Sequence, residues 1–331
     1  MNRNRAKRRG WPVARRAFSL LEILVSMSIL AILVIVLASL NTHTLNIWHQ
    51  VSGRAETFQA ARGAMDSIVR TLELATLNPY WDYDNRSNPT RYVRMSNLAM
   101  VCGPASDLLG GDFGPGSLIV FQAPLGRTAT ESRSRLQLLL NTVGFFVEYR
   151  DVHSGAPTSL GLGPRRRSCL MQMQTEAGDM SAFNDTNPGS PDNSWFNDPA
   201  LIDRASILAD NILLLIVRPL RREGSGTLDL ATTGFQLDSR AGETSSTQPA
   251  TSNQLPPLVE VALVAASEAS VRKKSEADGY RIPAELLDAR FQIPTRLDQD
   301  LSDLAGDLRN VGLEVRTFRQ TIVLPNSRWS D

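Results

Sequence analysis

RRAFSLLEILVSMSILAILVIVL, residues 15–37, decides how the rest of the chain is read. A pair of arginines and Ala17 lead into a run whose one charge is Glu22, and no Asp, Glu, Lys or Arg then occurs from Ile23 to Gly53. The most apolar part, residues 23–40, spans about 27 Å at 1.5 Å per residue, close to the thickness of a bilayer's hydrocarbon core. A charge near a bilayer centre costs about 2.5–3.5 kcal/mol on insertion scales, less nearer the interface. Glu22 therefore needs a reason.

The charge distribution sharpens the reading. The 331-residue chain holds 35 Lys+Arg and 34 Asp+Glu, a formal net of +1. Seven of the basic residues (Arg3, Arg5, Lys7, Arg8, Arg9, Arg15, Arg16) precede Phe18 with no acid among them. That leaves 28 basic against 34 acidic residues, a net of −6 for the remainder. A basic block directly before an apolar run is a cytoplasmic anchor under the positive-inside rule. The mildly acidic body gives no reason to expect bound nucleic acid.

Composition, at 42% hydrophobic and 21% charged, is that of a globular protein and excludes a collagenous or wholly disordered chain. Of the three histidines, His43 and His49 follow the apolar run and only His153 lies further on, which leaves little for a metal centre or a Ser-His-Asp triad. No nucleophile elbow and no Gly-rich phosphate loop occurs. The expectation is a protein that is not an enzyme and holds no cofactor. Cys102 and Cys169 lack metal-ligand spacing; they read either as one extracytoplasmic disulfide or as two free thiols.

Three export signals compete for the N-terminus. A secretory signal would use residues 23–37 as its apolar region and be cut near Ala38. Arg15-Arg16-Ala17-Phe18 also suits a twin-arginine signal. Neither accounts for Glu22. The order basic leader, small residue, Phe18-Ser19-Leu20-Leu21-Glu22, then an apolar helix resembles the signal of type IV prepilins and pseudopilins. The resemblance implies cleavage by prepilin peptidase between Ala17 and Phe18, N-methylation of the new Phe18 terminus, and an acid at mature position five, here Glu22. Ala17 stands where the family prefers Gly. Cleavage would create an ammonium group at Phe18, and Glu22 can pair with that of a neighbouring subunit. In a low-dielectric setting such pairing rewards a single axial register.

Beyond residue 50, Val51, Ala55, Phe58, Met65, Ile68, Leu72 and Ala75 recur at three-, four- and seven-residue spacings, with Arg54, Glu56, Arg62, Asp66, Arg70 and Glu73 between them. This predicts an amphipathic continuation that ends at Asn78-Pro79. The expected helix covers residues 18–77, with its membrane-spanning part at about 20–42. Residues 79–331 form the predicted body. Strands are expected at 98–102, 117–122, 138–149 (broken near Gly144), 212–217, 258–264 and 315–324. Helices are expected around Leu301–Val311, capped by Asp300 or Ser302, and at 283–289. Polar stretches 178–199 and 223–253 read as loop or disorder. Asp179, Asp185, Asp192 and Asp198 could in principle bind calcium but match no EF-hand and read as turn residues. Arg165-Arg166-Arg167, after Gly163-Pro164, reads as a solvated basic patch.

Longer stretches resemble the Verru_Chthon cassette protein C family: ATLNPYWDYD with PTRYVR at 75–94, FQAPLG at 121–126, FFVEYRD at 145–151, NQLPPLVEVALVAASEAS at 253–270 and RNVGLEVRTFRQTIVLPNSRWS at 309–330. The order of parts, with the PPLVEV strand, is also similar to the type II secretion minor pseudopilin J. These resemblances imply an α+β, pilin-like fold: a long N-terminal helix, half in the membrane and half packed on an antiparallel sheet body. They imply a single-pass inner-membrane subunit with its N-terminus in the cytoplasm and its body in the periplasm. Its partners would be prepilin peptidase, other pilin-like subunits and the membrane; its cargo is not specified. Two rivals stand beside this reading. One is a membrane-anchored binding protein that never polymerises; the other is an exported enzyme released by a cut near Ala38.

Overall fold

The computed structural model describes residues 19–328 except 112, 114–115, 134–135, 137, 154–160, 162, 183–191, 224–225, 231–234, 242–247, 250, 276–277 and 289, and no side chains for 42–55, 223, 227–229 and 288. The fold is α+β: a long N-terminal apolar helix followed by antiparallel sheets. The chain divides into two units, Met1–Val51 and Ser52–Asp331. Helix α1, Leu20–Glu73, enters both. It stops four residues short of the expected Leu77, because the Thr76 N–H donates to the Gln122 carbonyl at 2.9 Å rather than continuing the helical ladder.

In the first unit, Leu20–Asn41 has a mean hydropathy of 2.9 and none of it is buried. It is long and apolar enough to cross a membrane. The hydroxyls of Ser26 and Ser28 donate back to the carbonyls of Ile23 and Leu24 at 2.9 and 2.7 Å, so these polar groups are satisfied within the helix.

The second unit contains β1 (Tyr80–Tyr83), β2 (Tyr92–Met95), β3 (Val101–Pro104), α2 (Ala105–Leu109), β4 (Ser117–Pro124), β5 (Leu140–Asp151), β6 (Arg166–Gln174), α3 (Pro199–Asp203), β7 (Ser206–Asp210), β8 (Ile212–Glu223), β9 (Gly226–Asp229), β10 (Leu237–Asp238), β11 (Leu258–Ala266), α4 (Glu268–Lys274), α5 (Glu285–Asp288), α6 (Leu297–Asn310) and β12 (Val315–Val323). The strands form a six-stranded sheet in the order β10-β3-β4-β5-β6-β7, a four-stranded sheet β12-β11-β8-β9, and the hairpin β1-β2. Every strand pair is antiparallel. Asn211 alone separates β7 from β8, so the chain passes from one sheet to the other at a residue with φ 56°, a left-handed conformation that asparagine tolerates better than most.

Both large sheets are covered on both faces. Ala61, Ala64, Met65, Ile68 and Leu72 of α1 pack with Ile119, Phe121, Phe145, Val261 and Leu263 into a core shared by the two sheets. The opposite face of the four-stranded sheet packs Val264 and Ala266 against Leu301, Leu304 and Leu308 of α6. The opposite face of the six-stranded sheet packs Val120, Phe146 and Met171 beneath α2, Trp195 and Phe196. Each large side chain so buried contributes about 1.5–3 kcal/mol relative to exposure. Two-sided burial explains why β11 reads as LVEVALVAA, buried at every position, instead of alternating. Its one charge, Glu260, lies opposite Arg218 in register and is paired with Arg218 and Arg319.

Several expectations are corrected. Gly144 does not break a strand; it lies inside β5, where a Cβ would stand 2.2 Å from Met173 Cε on the neighbouring strand. The polar stretches hold buried residues and short strands: Trp195 and Phe196 are in the core, and the 223–253 stretch contains β9, β10 and buried Phe235. Asp300 is no cap. It sits inside α6, buried, and accepts the Phe291 N–H at 3.0 Å.

Of the two readings of the cysteines, the structure has the free thiols. Cys102 on β3 and Cys169 on β6 are both free and buried. Two strands separate theirs in the sheet, about 14 Å at ordinary strand spacing, against the roughly 7 Å limit for a bridge. They also face opposite cores. Burial pushes the Cys102 thiol up to about 12 and raises that of Cys169 as well. Neither thiol should react with a maleimide in the native protein, and both should react after unfolding; reductant should leave the melting temperature unchanged.

Candidate functional site

The head of α1 is built by local chemistry. Ser19 precedes the first helical residue, and its hydroxyl accepts the Glu22 N–H at 3.2 Å while its carbonyl accepts the same N–H at 3.0 Å and that of Ile23 at 3.2 Å. Ser19-Leu20-Leu21-Glu22 thus has the S-x-x-E order of a capping box, with the serine half formed. A serine two positions after Arg-Ala is a helix cap as well as part of a signal. Glu22 falls in the first turn, where the helix macrodipole favours an acid. Leu20 and Leu21 are 79% and 72% exposed, so the residues that flank the acid present bare apolar surface. Ala17 and Phe18 lie outside the described residues.

Sequence reasoning missed a second cluster. The run Arg165-Arg166-Arg167 is only in part a solvated patch, with Arg166 exposed and Arg167 buried. Arg166 and Arg167 open β6, and Arg167 is 1% exposed. Its Nε and Nη2 donate to the two carboxylate oxygens of Glu268 at 3.3 and 3.1 Å, and its Nη1 donates to the Arg166 carbonyl at 2.7 Å. Arg165 Nη2 donates to Glu268 Oε1 at 2.6 Å, and Asn211 Nδ2 to Glu268 Oε2 at 2.7 Å. The Glu268 N–H in turn donates to Thr57 Oγ1 on α1 at 3.3 Å. Burial alone would raise the Glu268 carboxyl; hydrogen bonds from Arg167, Asn211 and Arg165, with the charge of Arg167, outweigh it and hold the group below its usual range. Glu268 thus ties the start of β6 to the β7–β8 corner through its carboxylate and to α1 through its N–H. The RRR spelling gave no hint of this, because its acid lies a hundred residues further on, in the SEAS stretch opening α4.

Asp192 and Asp198 are engaged locally. Asp198 caps α3 by accepting the Ala200 N–H at 2.9 Å, and Asp192 accepts the N–H and hydroxyl of Ser194 at 2.9 and 2.5 Å. Asp185 lies outside the described residues. His153 Nδ1 is 2.8 Å from the Gly163 carbonyl.

Residues 13–38 match the family described as the prokaryotic N-terminal methylation motif. The matched span contains the Ala17–Phe18 junction, the Ser19 cap, Glu22 and most of the exposed apolar helix. The chain thus carries a prokaryotic N-terminal methylation motif at the head of an apolar helix, ahead of an α+β body. Among solved structures it is similar to the type IV-like pilin TTHA1219 from Thermus thermophilus, at 10% identity over 82% of this chain and 97% of that one, with a TM-score of 0.31. No curated protein matches the sequence.

Proposed function

We propose that the chain is a pilin-like subunit of a membrane-assembled pilus or type II secretion-like pseudopilus, a minor or tip component whose role is assembly and recognition rather than catalysis. Prepilin peptidase removes residues 1–17, Phe18 becomes a methylated terminus, and residues 20–42 hold the subunit in the inner membrane with the body on the periplasmic side. Other pilin-like subunits are its partners, and the stretches that resemble the cassette protein C family and, more faintly, the minor pseudopilin J support this role.

The observation that carries this reading is an apolar helix with no buried residue over Leu20–Asn41, headed by a carboxylate within a matched methylation motif. Such a surface needs lipid or neighbouring helices, and Glu22 gains most where a neighbour supplies an ammonium group. The body supports a minor role by its bulk: ten strands lie in two large sheets, more than a closely repeating thin subunit needs. A non-polymerising anchored binding protein would share the helix but would use Glu22 only to complement the macrodipole.

Mass spectrometry of the mature N-terminus tests the proposal. The expected result is an N-methylated Phe18. An intact leader would favour the simple anchor, and a terminus near Ser39 would favour a released protein; either would overturn the pilin-like reading.

A further inference from the structure

We propose that the open edge of β12 takes up an extended, acidic segment of a partner protein as an added strand. The inference goes beyond the pilin-like reading and does not depend on it. β12 pairs with β11 from Val315 to Val323 without a register shift, and it ends the four-stranded sheet. The alternation of an antiparallel ladder fixes which way each backbone group points. The Ser267 N–H donates to the Glu314 carbonyl at 2.8 Å, and the Leu324 N–H to the Pro257 carbonyl at 3.0 Å. Even-numbered residues of β12 therefore bond to β11, and odd-numbered ones turn their N–H and C=O the other way. Of these, Thr317, Arg319, Thr321 and Val323 are exposed. Among the described residues, nothing bonds to the backbone groups they turn outward.

Native sheets blunt their free edges with short strands, proline, lysine or bulges. The other edges of the two large sheets follow that rule: β10 has 2 residues, β9 has 4, and β7 has 5 with a register shift opposite Leu170 and Met171. β12 has 9 residues and holds no Pro, Lys, Gly or acid. A row of alternating donors and acceptors at strand spacing is matched in full by another strand, and this is how extended segments add to sheet edges. The backbone thus selects an extended polypeptide before any side chain is considered.

The two flanks of the edge then select its side chains. On the α1 flank, Arg316 and Phe318 of β12 face Phe58, Arg62, Met65 and Asp66 of α1 across a groove of about 710 Å³. The Arg316 guanidinium lies 5.3 Å from the centre of the Phe318 ring, which is 6.4 Å from that of Phe58. Arg62 and Arg316 are exposed, and neither forms an ion pair among the described residues. Asp66 is the one carboxylate lining the groove, so this flank is left positive and favours acidic side chains. On the α6 flank, Thr317, Thr321 and Val323 make a β-branched row, and the Arg319 between them is already matched by Glu260 and Asp298. Cross-strand neighbours that suit this row are themselves β-branched. The fitting strand therefore alternates acids with Val, Ile or Thr. The net charge of −6 on the body acts at range and is screened beyond about 8 Å at physiological salt, whereas these contacts are direct. A second β12 does not fit, because it carries two arginines and no acid and would set cations beside cations.

The test uses full-length protein in detergent and two dye-labelled peptides as long as β12, one alternating Glu with Val and the other Lys with Val. Binding is read by fluorescence anisotropy and by amide hydrogen exchange. In the free protein the amides of Thr317, Arg319, Thr321 and Val323 should exchange at least tenfold faster than those of Phe318, Gln320 and Ile322. The Glu–Val peptide should bind at least tenfold tighter than the Lys–Val one and should slow those fast amides. Arg316→Glu, at an exposed site, should reverse the preference between the peptides. Thr321→Pro removes an outward N–H and no bond to β11, and should abolish binding of both. If the proline variant unfolds, Arg316→Glu decides alone. No binding, equal binding of the two peptides, binding that leaves the four amides fast, or binding indifferent to Arg316→Glu would each overturn the proposal. So would protection of these amides that rises with protein concentration and needs no peptide, which would make the edge a contact between copies of this chain.

Discussion

Glu268→Ala will lower the unfolding free energy by about 3–5 kcal/mol, the cost of stranding a buried charge. Arg167 is 1% exposed, and both of its bonds to a carboxylate end on Glu268. Without that carboxylate a guanidinium stays in the interior with its charge no longer matched by Glu268. The double variant Arg167→Met with Glu268→Leu should recover most of the loss, since an apolar pair of similar volume often matches a buried ion pair. The effect has a pH signature. The folded Glu268 carboxyl is lowered, so its contribution is fully present above the unfolded value of about 4.3 and is lost as pH falls through the lower folded value. Urea midpoints of the detergent-solubilised protein should drop between pH 6 and pH 3. Glu268→Gln should flatten part of that drop. An unchanged midpoint in Glu268→Ala at neutral pH would show that the cluster does not hold the start of β6 to the β7–β8 corner.

Glu22→Ala gives the other large effect, on assembly rather than on folding. On the pilin-like reading the leader is still removed and Phe18 still methylated, because the peptidase acts at Ala17–Phe18. Recovery in complexes with partner subunits should fall at least tenfold, about 1.4 kcal/mol or more of lost association. Glu22 lies at an exposed helix head, outside the folded body, so the body's melting temperature should not move. Glu22→Asp keeps the charge on a shorter stem and should fall between the two. Wild-type recovery of Glu22→Ala would leave the acid as a helix-head residue that only complements the macrodipole.

What could be read in advance followed from local periodicity. The apolar run, the three-and-four spacing through Ile68 and Leu72, and the runs SLIVFQ, ILLLIV and LVEVALV each declare themselves within one element. What escaped depends on contacts between distant residues. Strand β6 begins with two arginines and looks like a loop, because the acid that buries Arg167 is on α4. Gly144 looks like a break, because only the neighbouring strand shows that Met173 occupies the space of its missing Cβ. Trp195 and Phe196 sit in an Asn/Asp-rich stretch whose polarity hid their packing under the six-stranded sheet. The site divides in the same way. Glu22 and its leader form a linear signal, whereas the open edge of β12 depends on the register with β11 that decides which amides face outward.

The passage from β7 to β8 through Asn211 leaves no slack. With a single residue to turn in, the strand at the margin of one sheet dictates where the next sheet must begin, and the same asparagine reaches across to Glu268. The body should ripen as a whole, and a lesion at this corner should be felt as loss of the entire domain instead of the fraying of one layer.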